Sequence, residues 1–192
     1  MRRIIIKGVL AAVIAGFCFA TPLRAQNREK AWELYPYLGY VKFASKVGLD
    51  DSPSLGLNFA YHWTKRHEVE FGFGGTSTND TASGKFSADL ITARVNYVYN
   101  IFLHRRDKIV AFVTAGAGVL DFSTFGFTTN PKLVGDEQDF MYNYGVGVRF
   151  FGGERAGLRL DARKVDYSKK GGGGSQNYLE VTLGVTLVLG GA

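Results

Sequence analysis

The sequence predicts an all-β fold: an eight-stranded antiparallel up-and-down transmembrane β-barrel, preceded by a cleavable signal peptide. Three observations carry this. The segment Tyr178–Leu189 has an aliphatic residue at every second position from Leu179 to Leu189, with Glu180, Thr182, Gly184 and Thr186 between them. A period of two is the signature of a strand with one apolar and one polar face. The same pattern returns along the chain, and the connections alternate between tight and long. A sheet with a continuous apolar face and a charged opposite face meets lipid stably when it closes on itself, apolar side out.

The N-terminus is read as an export signal. Met1–Lys7 is basic, Val9–Ala20 is an apolar run too short for a membrane-spanning helix, and Thr21-Pro22-Leu23-Arg24-Ala25 ends on a small residue. Residues 1–25 are expected to be removed, with a cut after Ala20 as the alternative, and 26–192 to form one barrel domain. Cys18 is the only cysteine and lies in the leader, which suits an oxidising compartment without disulfides. The formal charge of +6 also owes much to the leader: without Arg2, Arg3, Lys7 and Arg24 it is +2, which gives no ground for nucleic-acid binding. A mean hydropathy near zero excludes a helical membrane protein but suits a barrel, whose two faces average out.

The strands are expected at Glu33–Phe43, Ser54–Thr64, Glu68–Thr76, Phe86–Phe102, Lys108–Leu120, Phe140–Phe151, Arg155–Tyr167 and Tyr178–Leu189. Most reach the nine to eleven residues that a tilted crossing requires. Lys65–His67, Leu103–Asp107 and Gly152–Glu154 are tight turns. Ala44–Pro53, Ser77–Lys85, Asp121–Asp139 and Ser168–Asn177 are longer and rich in Gly, Ser, Thr, Asn, Asp and Lys. Short turns face the periplasm and long loops the exterior in such barrels. The Gly171–Ser175 run is a loop tip, since no Lys-Ser/Thr pair or helix follows it.

Strand by strand, the outward positions read Leu55 to Trp63, Val69 to Phe73, Ile91 to Tyr99, Ile109 to Val119, Tyr142 to Phe150 and Leu158 to Ala162, every second residue, without a charge. Tyr61, Trp63, Tyr97, Tyr99 and Phe150 cluster at the short-turn end. Phe43, Phe73, Phe86, Phe122, Tyr142, Tyr144 and Tyr167 cluster at the other. Two aromatic groups at opposite strand ends are expected to form girdles at the lipid headgroups. The inward positions carry Glu68, Glu70, Arg94, Arg149, Arg159, Asp161, Arg163 and Glu180, with Asn58, His62, Asn96 and Asn143, among nine glycines. Eight strands leave room only for side chains. The expectation is therefore a plugged interior in which acids and arginines neutralise one another, with the pairing left open by the unknown register.

No cofactor or metal is expected. His62, His67 and His104 all map to the short-turn end, while Ser77, Ser83, Ser87, Ser123 and Ser175 lie toward the other. A serine nucleophile and its base would be separated by most of the membrane, so the chain reads as a non-enzyme. A narrow pore or conduit for small or hydrophobic ligands is the alternative. A soluble lipocalin-like carrier fits less well, because the charged positions fall on the inner face.

The layout resembles the small bacterial outer-membrane β-barrel proteins, the OmpA/OmpX-like eight-stranded group with a generic outer-membrane β-barrel domain. The marks are Glu33–Phe43 as first strand, Gly-rich hairpin strands such as Tyr144–Arg149, and Tyr178–Leu189 as the closing strand. The resemblance implies export through the periplasm to the outer membrane, contact with outer-membrane lipid and lipopolysaccharide, insertion by the barrel-assembly machinery, and surface or host partners met through the loops. It implies a role in envelope structure or surface-loop interactions. One departure is that the family usually ends on an aromatic residue, where this chain has Leu189 followed by Gly190-Gly191-Ala192.

Overall fold

The computed structural model describes residues 29–79, 87–103, 108–123, 139–152, 155–168 and 174–191. The expected leader, residues 1–25, lies outside them. Eight strands follow in chain order: β1 (Ala31–Phe43), β2 (Ser52–His62), β3 (His67–Asn79), β4 (Ser87–Phe102), β5 (Ile109–Ser123), β6 (Asp139–Phe151), β7 (Ala156–Ser168) and β8 (Ser175–Gly190). Each pairs antiparallel with its neighbours in sequence, and β1 pairs with β8 to close the barrel.

The expected strands are all present, but β3, β5 and β8 run three residues further toward the loops than hydrophobic alternation alone indicates. Residues such as Thr78 and Asn79 read as loop because they are polar. The β3–β4 ladder nevertheless continues through Thr78↔Ala88 and Asn79↔Ser87, since backbone pairing does not need an apolar face. The connections on the two sides therefore differ less than the sequence suggests: 169–174 on the long-loop side is no longer than 103–108 on the short-turn side.

The register fixes the shape. Following paired residues around the barrel gives Trp32, Tyr61, Val69, Tyr97, Ala115, Tyr144, Lys164, Leu179 and finally Lys42. One circuit thus returns to β1 ten residues beyond its start. With about 3.3 Å per residue and about 4.8 Å between strands, this stagger tilts the strands by roughly 40° and gives a radius of roughly 8 Å. Pro36 sits on the outward side of β1. The β1–β8 ladder passes from Leu34↔Leu187 to Tyr37↔Gly184 without the pairs between, as the missing proline N–H requires.

Inside, the side chains form three layers. At the short-turn end Ala31, Val110, Phe151 and Val188 pack with Phe102. At the loop end Val41, Phe43, Leu90, Leu120, Met141, Val165, Tyr167 and Tyr178 pack together. The chain after β1 makes one 3-10 turn at Ser45–Val47 and lays Val47 and Leu49 against this outer cluster. It is tied down by Phe43 N donating to Asp51 Oδ1 at 3.1 Å and Asp50 N donating to the Asn79 carbonyl at 2.9 Å. Charged residues fill the space between the two apolar layers.

Candidate functional site: the ionic interior

The middle layer depends on pairing large residues with glycines across the ladders. Tyr37 faces Gly56 and Gly184, Arg94 faces Gly72 and Gly118, Asn96 faces Gly116, Phe112 faces Gly147, Arg163 faces Gly145, and Arg159 faces Gly184. Each large side chain leans over a strand that presents no Cβ. A methyl at Gly74 would stand 2.6 Å from the Tyr37 hydroxyl, and one at Gly184 2.8 Å from the Tyr35 ring.

Into this space fold the groups that the alternation places inward. Arg149 donates from Nη2 to Glu68 Oε1 at 2.6 Å and from Nη1 to Asn100 Oδ1 at 2.6 Å, with Nε 3.2 Å from Glu33 Oε1. Arg159 meets Glu70 at 2.7 Å, Asp161 at 3.0 Å and Glu33 at 3.2 Å. Its guanidinium also lies 4.5 Å from the ring centres of both Tyr35 and Phe112. Arg163 reaches Asp161 at 2.5 Å and Glu70 at 2.8 Å. Arg94 stands apart with Glu180 at 2.7 Å, and donates to the Tyr37 hydroxyl at 3.3 Å. All eight charged residues expected to face inward are thus buried and within ion-pair distance of an opposite charge.

One member escapes the sequence reading. Glu33 is 0% exposed and touches Arg149, Arg159 and His62. It makes five carboxylates against four guanidiniums in this layer. His62 supplies the fifth cationic position, with Nε2 3.0 Å from Glu33 Oε2 and Nδ1 3.1 Å from Glu68 Oε2. Both ring nitrogens lie within ion-pair distance of a carboxylate, and a positive charge on this ring would balance the layer. The parity of Glu33 with Tyr35, Tyr37 and Gly39 is the available signal.

Glu33, His62 and Glu68 offer ligand atoms within 4.8 Å of one another, the donor types of a metal site. Their geometry serves charge compensation instead. Glu33 Oε1 meets Arg149 and Arg159, Glu33 Oε2 meets His62, Glu68 Oε1 meets Arg149, and Glu68 Oε2 accepts from Asn100. A dication there would sit against the Arg149 guanidinium. No serine is hydrogen-bonded to a histidine among the described residues.

The outer surface carries the expected apolar set. At the short-turn end Trp32 stacks on Phe59 at 4.8 Å and lies 4.7 Å from Tyr61. His67 Nδ1 is 2.5 Å from the Tyr97 hydroxyl, and Arg66 donates to Tyr99 at 3.3 Å. Trp63 and Phe150 are exposed at this end, and Tyr142 and Tyr144 toward the loops. Two assignments change. Phe43 and Tyr167 point inward and belong to the outer apolar layer, because they share parity with Val41 and Val165. Phe86 lies outside the described residues. The outward face is also not free of charge: beyond Ala162, β7 presents Lys164 and Asp166, and β1 presents Lys42.

Comparison with known proteins agrees with this architecture. The model of the family described as outer membrane protein beta-barrel domain matches residues 9–187. No curated protein sequence matches the chain. Among solved structures, Neisserial surface protein A is similar with a TM-score of 0.63 at 13% identity, covering 83% of this chain and 99% of that one. The outer membrane protein OprG from Pseudomonas aeruginosa gives 0.62 at 11% identity, over 88% and 100%. Ail, the attachment invasion locus protein of Yersinia pestis, gives 0.53 at 15% identity, over 84% and 99%. At such identities the likeness is one of fold.

Proposed function

We propose that this chain, which belongs to the outer membrane protein β-barrel domain family, is a non-enzymatic, sealed scaffold of the bacterial outer membrane that holds its outer loops for contact with the cell's surroundings. The observation that supports this best is the filled interior. An apolar layer at each end encloses a layer of mutually neutralising charges, and the segment carrying Val47 and Leu49 covers the outer end. A conduit needs a continuous path, and layers of packed side chains argue against one. Removing a partner from a buried ion pair is strongly destabilising, so the charged layer is suited to holding the cylinder in one register rather than to passing solutes. Closure leaves no free sheet edge, and recognition is then left to the loops. The barrel-assembly machinery would be its partner during insertion.

Planar-bilayer recording tests this reading. The wild type and Arg94→Ala are both expected to give no steady single-channel current, the variant being less stable yet still closed. Large, stable currents from the wild type would overturn the sealed scaffold in favour of a pore.

A further inference from the structure

The outward face of a membrane barrel is expected to lack charge across the hydrocarbon, and here it does so until Lys164 on β7 and Lys42 on β1. The register places both beside Leu179 of β8, Lys164 on one side and Lys42 on the other. Their Cα atoms are thus two strand spacings apart, roughly 10 Å. Lys42 lies ten residues along β1 from Trp32, which at the barrel's tilt is a rise of roughly 25 Å, the height of the apolar band of such barrels. Lys164 sits roughly 6 Å lower, within reach of the same level by extending its stem upward.

The interior arginines are buried among carboxylates, whereas the rim lysines are open to an outside anion: the one ion pair of Lys164 among the described residues, with Asp166, is exposed, and such pairs are weak. Lys42 is exposed and has no ion pair among the described residues. Lys164 is 45% exposed, with Asp166 3.6 Å away on the loop side and the Tyr144 ring centre at 5.9 Å. Tyr40 and Tyr144, both exposed, stand on the outer sides of the pair. A cation on the lipid face is tolerated where an anion of the membrane meets it. Long loops face the exterior, so the anion at this level belongs to the outer leaflet, whose lipid in the bacterial outer membrane is a phosphorylated glycolipid.

We propose that Lys42 and Lys164, astride Leu179, form a docking site on the β7–β8–β1 flank for the phosphate groups of lipopolysaccharide. Tyr40 and Tyr144 pack against its sugar and upper acyl carbons. Asp166, two residues beyond Lys164 on β7 and so at about the height of Lys42, bounds the site on the β7 side. The proposal rests on the membrane-barrel reading of the chain.

The test uses the refolded protein in detergent with bisphosphoryl lipid A, dephosphorylated lipid A or phosphatidylglycerol, and native mass spectrometry to count retained lipid. Heat-modifiability on a gel establishes that each sample is folded; if the wild type lacks it, the barrel reading itself fails, a result separate from lipid binding. Bisphosphoryl lipid A is expected to bind at least tenfold more weakly to Lys42→Gln/Lys164→Gln than to the wild type, and unchanged to Lys65→Gln at the opposite end. Each single variant is expected to lose about threefold, which serves if the double variant does not fold. Equal binding by the lysine variants and the wild type would overturn the site. So would equal retention of dephosphorylated lipid A, which would make the contact apolar, or of phosphatidylglycerol, which would make it unselective.

Discussion

Glu180→Ala isolates one pair of the interior. Arg94 and Glu180 are 4% and 5% exposed, and Glu180 is the only carboxylate within ion-pair distance of Arg94 among the described residues. The variant leaves a buried guanidinium with the Tyr37 hydroxyl at 3.3 Å as its remaining donated bond. Breaking a buried ion pair by removing one partner costs about 3–5 kcal/mol. With a urea dependence of about 2 kcal/mol per M, a loss of about 4 kcal/mol lowers the unfolding midpoint by about 2 M. Arg159→Ala provides the contrast. It removes more ion pairs, yet Glu70 and Asp161 keep Arg163, and Glu33 keeps Arg149 and His62. Its cost should be smaller for each ion pair broken. Arg94→Met/Glu180→Leu removes both charges and should recover most of the loss, since apolar replacement of a buried pair is often neutral or better. Urea unfolding in lipid vesicles, followed by fluorescence of Trp32 and Trp63, measures all of these. A midpoint shift below about 0.5 M for Glu180→Ala, or a double variant no more stable than the single, would refute the view that Glu180 compensates Arg94.

Gly116→Ala should lose roughly 1–3 kcal/mol, the usual cost of overpacking, because the added methyl would meet the Val95 carbonyl and stand 2.8 Å from Asn96 Cα. Gly152→Ala, with nothing within 4 Å of its added carbon, should leave the urea midpoint where it is. In a double-mutant cycle, Glu33→Gln and His62→Gln should couple by about 1 kcal/mol or more, as contacting residues in one network do; additive midpoints would dissociate them. Trp32 and Trp63, at 44% and 43% exposure on the outer surface, should be quenched more strongly by lipids brominated near the headgroup than by lipids brominated near the chain end.

Parity carries most of the fold because burial switches sides at every residue of a strand. Arg159, Asp161 and Arg163 can occupy one side only, and the same parity extends to Val165 and Tyr167. Reading Tyr167 as an interface aromatic weighs its nearness to a loop above that parity, and here parity wins: the ring lies beside Tyr178 and Met141 inside the barrel. The first strand is harder. Aromatics occupy both its faces, Trp32 and Tyr40 outside, Tyr35 and Tyr37 inside, so aromatic content assigns neither. Glu33 is legible only once Gly39 and the tyrosines are given a side. The ion pairs themselves are not legible. Glu33 and Arg159 meet across 126 positions of sequence, and which carboxylate reaches which arginine depends on a stagger accumulated over eight ladders. The lysines at the outer rim are invisible to a reading that follows the outward set only while it remains apolar.

The interior also explains why so many glycines are spent on strands that they weaken. Were they only making room for arginines, they would oppose arginines alone. Gly56 opposes Tyr37 and Gly147 opposes Phe112. Phe112, with Tyr35, in turn holds the Arg159 guanidinium at 4.5 Å from both ring centres. The glycines therefore position the aromatic rings, the rings fix the plane of a guanidinium, and the guanidinium fixes three carboxylates from β1, β3 and β7. Shifting one ladder by a single residue would send every inward side chain on that strand to lipid. A shift by two would keep faces but set Phe112 against Gly145 or Arg149 and take Arg94 off Gly72. The cross-strand alternation of large and small thus selects among registers that hydrophobic parity leaves equivalent, and it ties the stagger of the barrel to the charge balance within it.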